Sequence, residues 1–146
     1  IRPATVCGLS PRMRLDVSVN ILTFSALEKG IITVFGGNQI RPNIHIDDIC
    51  GVYLHLLRNF DSIDSGFYNA GFENISIYQI AELIRSKIDC NILVEESNDP
   101  RSYRLDSSKL LKIGFRPKKK ISDAINELIF LYKAKTLKEK KKFSLN

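Results

Sequence analysis

The stretch from residue 47 to residue 60 constrains this chain more than any other. Ile49, Val52, Tyr53, Leu56, Leu57 and Phe60 recur there at i, i+3, i+4, i+7, i+8 and i+11. That spacing predicts a helix with one apolar stripe. Asp47 and Asp48 stand at its start, where carboxylates complement the helix dipole. An extended stretch, 39–46, runs straight into it, so a strand feeds directly into a buried-faced helix.

The same alternation continues along the chain. Residues 1–8 open with a short apolar run, Ala4-Thr5-Val6-Cys7, stopped by Gly8 and Pro11, and read as a buried strand. Residues 16–29 are apolar around most of a helix circumference, which predicts burial on several sides or a place at an interface. Gly30 is placed to end that helix. Ile31-Ile32-Thr33-Val34-Phe35 is a β-rich run, and Gly36-Gly37-Asn38 predicts a hairpin turn into the 39–46 stretch. A short strand lies within 66–71. Ser76-Ile77-Tyr78-Gln79 is a capping box with Ile75 and Ile80 as its staple, and Ile80, Leu83, Ile84 and Ile88 form the buried face behind it. Asn91–Glu95 reads as a strand. Asp106 is expected to cap a short helix ending at Gly114. Ser122 is expected to cap a last helix with Ile125, Leu128, Ile129 and Tyr132 inward. The class is therefore α/β.

Composition narrows the function. Of 146 residues, 44% are hydrophobic and 26% charged, an ordinary globular balance that excludes disorder and a disulfide-dense scaffold. No run approaches the roughly 18 apolar residues of a membrane span, and no signal-peptide pattern opens the chain. It begins with Ile1 rather than Met, so we expect a processed N-terminus or a piece of a longer protein. The net charge of +6 is uneven: residues 116–146 carry ten basic and three acidic side chains, a net +7, which leaves −1 for residues 1–115. The basic excess belongs to the tail and is read as a solvated end, with polyanion binding as the minority alternative.

Cys7, Cys50 and Cys90 form no Cys-x-x-Cys pair. They point to free, mostly buried thiols in a reducing cytoplasm. His45 and His55 lack a carboxylate at ligand spacing, so no metal site is expected. His45 alternates with Ile44 and Ile46 and is read as structural, and His55 as a packed residue. Two arginines are more informative. Pro42 forces Arg41 into an extended conformation, which projects a guanidinium able to fork two phosphate oxygens. Arg101 follows Asp99-Pro100 on a loop. The two could converge on a diphosphate, although each taken alone reads as a surface ion-pair partner.

Four segments together carry a resemblance. They are Arg2-Pro3-Ala4-Thr5-Val6-Cys7-Gly8 with Ser10-Pro11-Arg12-Met13; Ile32–Gly36 with Arg41-Pro42-Asn43-Ile44-His45-Ile46-Asp47-Asp48; Tyr68-Asn69-Ala70-Gly71; and Asp99–Asp106 with Lys109 and Gly114-Phe115-Arg116-Pro117. In this order they resemble the C-terminal part of extended short-chain dehydrogenases/reductases, the NAD-dependent nucleotide-sugar epimerases and dehydratases. The resemblance covers residues 1 to about 130. It implies the substrate-binding part of an NAD(P)-binding Rossmann-type α/β protein. Residues 1–8 would be the last strand of the dinucleotide-binding domain, 9–115 the substrate-binding domain, and 116–146 a C-terminal amphipathic helix and basic tail.

The resemblance also assigns roles. Pro3 and Ala4 would border the nicotinamide of NAD or NADP. Thr5, Asp16, Val17, Asn20, Arg41 and Arg101 would contact the sugar nucleotide, and Asp48 would be structural. Thr5 stands where the family often has Asn, and Cys7 where it often has an aromatic residue. The glycine motif for NAD and the catalytic Tyr-x-x-x-Lys are not in this sequence, so no catalytic residue is assigned to it. The implied partners are a sugar nucleotide, an N-terminal Rossmann half and a second copy of the parent as a homodimer, with no nucleic acid or membrane. The implied location is the cytoplasm. Taken alone, the chain is expected to be inactive and to bind no cofactor tightly. The competing reading is a stand-alone, non-catalytic partner-binding module built on the same fold.

Overall fold

Strand β4 (Ile40–His45) is the hub of the architecture. It pairs in parallel with β2 (Thr5–Cys7), Asn43 opposite Thr5 and His45 opposite Cys7. On its other side it pairs antiparallel with β6 (Glu73–Ser76), Arg41 opposite Ile75. Pro42 falls where only β6 is paired with β4, which suits a residue with no N–H to give a ladder. The computed structural model describes residues 1–134. The distal basic tail, 135–146, lies outside them.

Two smaller ladders flank this sheet. Arg2–Pro3 (β1) pairs in parallel with Asn69–Ala70 (β5), and Ile31–Phe35 (β3) pairs in parallel with Asn91–Glu95 (β7). The hairpin expected at Gly36-Gly37-Asn38 does not form. β3 and β4 belong to different sheets, so the two glycines carry the chain across rather than back. The local turn chemistry was right and the partner wrong, because β7 supplies the ladder of β3 from sixty residues away. The opening strand differs as well. It divides at Ala4, and its first piece, Arg2–Pro3, is exposed; only Cys7 is fully buried.

The helices sort the core into clusters. Helix α1 (Ser18–Lys29) ends at Gly30, whose φ of 67° is the left-handed cap conformation. It packs against β3, α3 (Ile77–Arg85) and α5 (Ile121–Lys133), and Val19, Leu22, Ala26, Ile80, Ile84 and Ile125 fill the space between them. Each fully buried aliphatic side chain contributes about 1.5–3 kcal/mol. Most of the apolar surface of α1 is thus covered within this chain, with Ile21 left 48% exposed. The Ser76–Gln79 capping box forms in both directions, at 3.1 and 3.0 Å.

Helix α2 (Ile46–Arg58) and α4 (Ser108–Lys112) enclose a second cluster with Ile44, Ile49, Val52, Tyr68, Leu110 and Phe115. Half of the expected α2 stripe stays outside it. Ile49 and Val52 are buried, but Tyr53 and Leu54 are half exposed, Leu57 is 71% exposed and Phe60 is 74% exposed. The inferred caps also shift. Asp106 accepts from the Ser108 amide at 2.8 Å while Ser107 holds the cap position of α4, and the helix ends at Lys112. Ser122 lies inside the first turn of α5; Lys120 is the cap residue, and its amide donates to Asp123 at 2.8 Å. Of the three thiols only Cys7 is buried; Cys90 is partly buried and Cys50 is exposed. Burial pushes the Cys7 thiol up to about 12. None of the helices is long and apolar enough to cross a membrane among the described residues.

The β4–α2 junction ties these parts together. His45 Nδ1 accepts from the Asp47 amide at 3.1 Å, capping α2, and Nε2 meets Glu127 Oε2 of α5 at 3.1 Å. Asp48, buried, accepts from the Lys118 and Lys119 amides at 2.9 and 3.0 Å. Gly8 passes so close to His45 that a Cβ there would lie 2.9 Å from Nε2, and its φ is 103°; any other residue strains the loop after β2.

Two predictions follow from this packing. Partial burial raises the Glu127 carboxyl, but the Lys119 hydrogen bond and His45 outweigh burial and hold it below its ordinary 4.5. A carboxylate lowered on folding contributes stability in full above its unfolded value, and that contribution is lost as pH falls through the folded value. Glu127→Gln should therefore cost about 1 kcal/mol at pH 7, with the gap to the parent chain closing below pH 4.5. Urea melts at a series of pH values check this, and a gap that persists at acid pH contradicts it. Second, the exposed Tyr53, Leu54 and Leu57 of α2, with Phe60 just past its end, form the kind of apolar surface that drives association. The 146-residue chain should self-associate and take up an apolar dye, and Leu57→Glu with Phe60→Glu should reduce both. A sedimentation profile of monomer alone, with no dye uptake, rules this out.

Candidate functional site

Four segments converge on one open cleft of about 560 Å³. The β1–β2 stretch brings Pro3, Ala4, Thr5 and Val6. The loop into α1 brings Arg14, Asp16, Val17 and Ser18. β4 and the start of α3 bring Arg41 and Ile77. The backbone is drawn close at its floor: a Cβ on Gly71 would lie 2.6 Å from the Ala4 Cβ, so only glycine allows β5 and the β1–β2 stretch to approach this closely.

Of the residues singled out in the sequence, Pro3, Ala4, Thr5, Asp16, Val17 and Arg41 line this cleft together. Asn20 does not. It is buried, its Oδ1 accepts from the Gly8 amide at 3.3 Å, and its Nδ2 donates to the Arg14 carbonyl at 2.7 Å. Its side chain thereby holds the 8–14 loop against α1. Arg101 stands on the neighbouring loop, 77% exposed at the side chain, beside a smaller cleft lined by Gly36, Gln39, Ser97, Asp99 and Ser102. Arg41 lines the larger cleft and reaches Asp99, which lines the smaller one.

Each arginine here is paired with an aspartate. Arg14 forks Asp16, Nε to Oδ1 at 3.0 Å and NH2 to Oδ2 at 2.6 Å. Arg101 forks Asp99, Nε to Oδ1 at 2.8 Å and NH2 to Oδ2 at 2.7 Å, and its amide also donates to Oδ1 at 3.0 Å. Arg41, 15% exposed, reaches the same carboxylate with NH2 at 3.2 Å and donates through NH1 to the Arg101 and Ile40 carbonyls. Its ion-pair partner is Asp99. The Arg101 hydrogen bonds, with Arg41 adding its charge, hold the Asp99 carboxyl well below the usual carboxylate range. The Arg14 hydrogen bond lowers Asp16 in the same way. Tyr103 lies under Arg41, 5.7 Å from guanidinium carbon to ring centre. The lining thus offers guanidinium, carboxylate and hydroxyl groups on a small-residue floor, a surface suited to holding an anionic, hydroxyl-bearing ligand.

Sequence reading missed Arg14, and it quoted Asp99 without giving it a role. The signal was present: Arg14-Leu15-Asp16 and Asp99-Pro100-Arg101 both set opposite charges two residues apart on loops, where one turn of backbone lets the side chains fork.

Two other places carry chemistry-bearing groups that are already spent. A cavity of about 530 Å³ beside α2 is bordered by Asp48, His55 and Phe115. Asp48 is engaged with the Lys118 and Lys119 amides, and His55 Nε2 meets the Ile113 carbonyl at 3.0 Å. His45, Asp47 and Glu127 place donor atoms within 4.8 Å of one another. Both ring nitrogens of His45 are already committed there, one to the helix cap and one to Glu127.

No family model matches the sequence. Among curated proteins, the chain is 27% identical over 105 residues to GDP-L-fucose synthase 1 of Arabidopsis thaliana, covering 66% of this chain and 31% of that protein. It is 25% identical over 115 residues to a probable GDP-L-fucose synthase 1 of Oryza sativa, covering 75% and 35%. Among solved structures, UDP-glucuronic acid 4-epimerase from Bacillus cereus, in complex with UDP-glucuronic acid and NAD, matches at a TM-score of 0.72 and 26% identity, over 91% of this chain and 44% of that one. UDP-glucose 4-epimerase from Thermotoga maritima shares the fold at a TM-score of 0.76 and 21% identity, over 92% and 45%. The chain spans about a third of the length of these curated relatives and under half of the solved chains. With four sequence segments in order and a mixed α/β fold shared with these enzymes over nine tenths of its length, the chain is similar in sequence and fold to the NAD-dependent epimerases and dehydratases of the extended short-chain dehydrogenase/reductase type.

Proposed function

We propose that this chain is the substrate-binding portion of an NAD-dependent nucleotide-sugar epimerase or dehydratase, and that its cleft grips the sugar nucleotide by the diphosphate. The observation that carries this reading is the convergence of Arg41 with Thr5, Asp16 and Val17 on one cleft, with Arg101 tied to Arg41 through Asp99. In this reading Arg101 and Arg41 meet the diphosphate, Thr5, Asp16 and Val17 meet the sugar side, and Asn20 acts through the loop it holds. Positioning is the contribution asked of such a surface, because a ligand anchored at its diphosphate presents its sugar at a fixed distance.

Pro3 and Ala4 supply small side chains to the cleft, and in this reading they border the nicotinamide ring. When bound, NAD would accept and return hydride. The remaining nucleotide contacts and the proton-transfer pair belong, in this proposal, to an N-terminal Rossmann half completed by residues 1–8, in a cytoplasmic, homodimeric parent. The 146 residues alone are then a binding unit without turnover. The exposed apolar face of α2 fits both this reading and that of a partner-binding module. The charged cleft, which a partner module does not require, favours the first.

Binding separates the roles of the two arginines. Calorimetry of the 146-residue chain against UDP-, GDP-, ADP- and dTDP-linked sugars should find at least one that binds, with no NAD-linked turnover. A charge-assisted hydrogen bond is worth about 1.5–3 kcal/mol, and about 1.4 kcal/mol is tenfold in affinity. Arg41→Ala should weaken that binding about ten- to hundredfold and lower the melting temperature, since Arg41 also holds the 99–101 loop. Arg101→Ala should weaken binding about tenfold with the melting temperature unchanged, and Arg41→Lys should recover only part of the loss. Unchanged affinity in Arg41→Ala overturns the diphosphate assignment.

A further inference from the structure

Asp99 sits between two guanidiniums and uses both of its oxygens on them. Oδ1 takes the Arg101 Nε and amide, and Oδ2 takes Arg101 NH2 and, at 3.2 Å, Arg41 NH2. The Nε–NH2 edge of Arg101, an edge that matches two phosphate oxygens, is therefore already closed by a carboxylate. Arg41 has its NH1 on two backbone carbonyls and its NH2 on Asp99. A negative charge thus stands where two arginines converge, on a loop anchored further along by Leu105 and Asn74 at 2.8 and 3.1 Å but held nearer Asp99 by longer contacts: the Asp99 amide donates to Ser97 at 3.2 Å, the Ile40 amide to Ser102 at 3.0 Å, and the Tyr103 amide to the Ile40 carbonyl at 3.3 Å. The side chains of Asp99 and Arg101 are 26% and 77% exposed, so Arg101 has room to leave and Asp99 has water to receive its charge.

We infer that Asp99 is a built-in occupant of the anion seat, a positioning residue that keeps Arg41 and Arg101 convergent and gives up the Arg101 fork when an anionic ligand arrives. This rests on the diphosphate reading above. Its consequence is a pair of effects of opposite sign. Without its charge the anion-free protein loses a counter-ion that holds its two arginines together, while an incoming anion no longer has a competitor. A purely structural Asp99 moves both quantities the same way, downward.

The test uses the 146-residue chain and inorganic pyrophosphate as the probe, with affinity from calorimetry and melting temperature in anion-poor buffer. Asp99→Asn keeps an oxygen for the Arg101 amide and removes the charge; Asp99→Ser keeps a shorter acceptor and guards against a loop defect peculiar to asparagine. Both should melt lower than the parent chain without pyrophosphate and bind pyrophosphate about three- to tenfold more tightly, the scale of one partly exposed charge. In a background of Arg41→Ala with Arg101→Ala, Asp99→Asn should leave the residual affinity unchanged, because the competition is for those two side chains. If the parent chain binds pyrophosphate through Arg41 and both Asp99 variants bind it equally or more weakly, this inference is overturned and the diphosphate reading stands. The same tightening in the double-alanine background also overturns it, by showing a general effect of surface charge. If the parent chain and the variants all fail to bind pyrophosphate, the diphosphate reading falls and takes this inference with it.

Discussion

His45 is the residue on which the rest of the structure depends. It ends β4 opposite Cys7 of β2, caps α2 through Nδ1 and meets Glu127 of α5 through Nε2. One imidazole thereby joins the central sheet to the helix that follows it and to the last helix of the described chain. Three residues on, Asp48 does comparable work, holding the segment before α5 by two backbone amides. Buried polar groups are costly unless satisfied, and here the satisfied network fixes how two hydrophobic clusters on either side of the sheet sit together.

That arrangement determines where the cleft can form. Because β4 is held between β2 and β6, Arg41 emerges near its start, facing the β1–β2 stretch on one side and the 96–107 loop on the other. The charges around it are balanced locally rather than left bare. An exposed arginine loses little by being solvated, but one confined to the wall of a cleft, as Arg41 is, gains from a fixed counter-charge. Asp99 supplies that charge to Arg41, and Asp16 does the same for Arg14, both from loops, the parts of the chain that can move when a ligand takes their place.

The elements most legible in the sequence were those specified by neighbouring residues. The Ser76–Gln79 capping box, the Gly30 cap, the β3 and β7 runs and the inward faces of α3 and α5 were all readable, because each depends on contacts within a turn or two of chain. Partner choice was not readable. Gly36-Gly37 carries the right chemistry for a turn, yet nothing nearby states that β3 will pair with β7. The α2 stripe was visible, but its period does not say how much of it a partner surface will cover, and Leu57 and Phe60 remain outside.

The sequence by itself determined the α/β class, the family resemblance and the two arginines worth testing, since these follow from periodicity and from residue types at fixed spacing. Only the tertiary structure decided that Asn20 spends its amide on backbone, that Arg14 joins the cleft, and that Arg41 and Arg101 share Asp99 across sixty residues. The reason is physical: a side chain's charge and shape are written in the sequence, but the groups that will satisfy it are brought close by the fold.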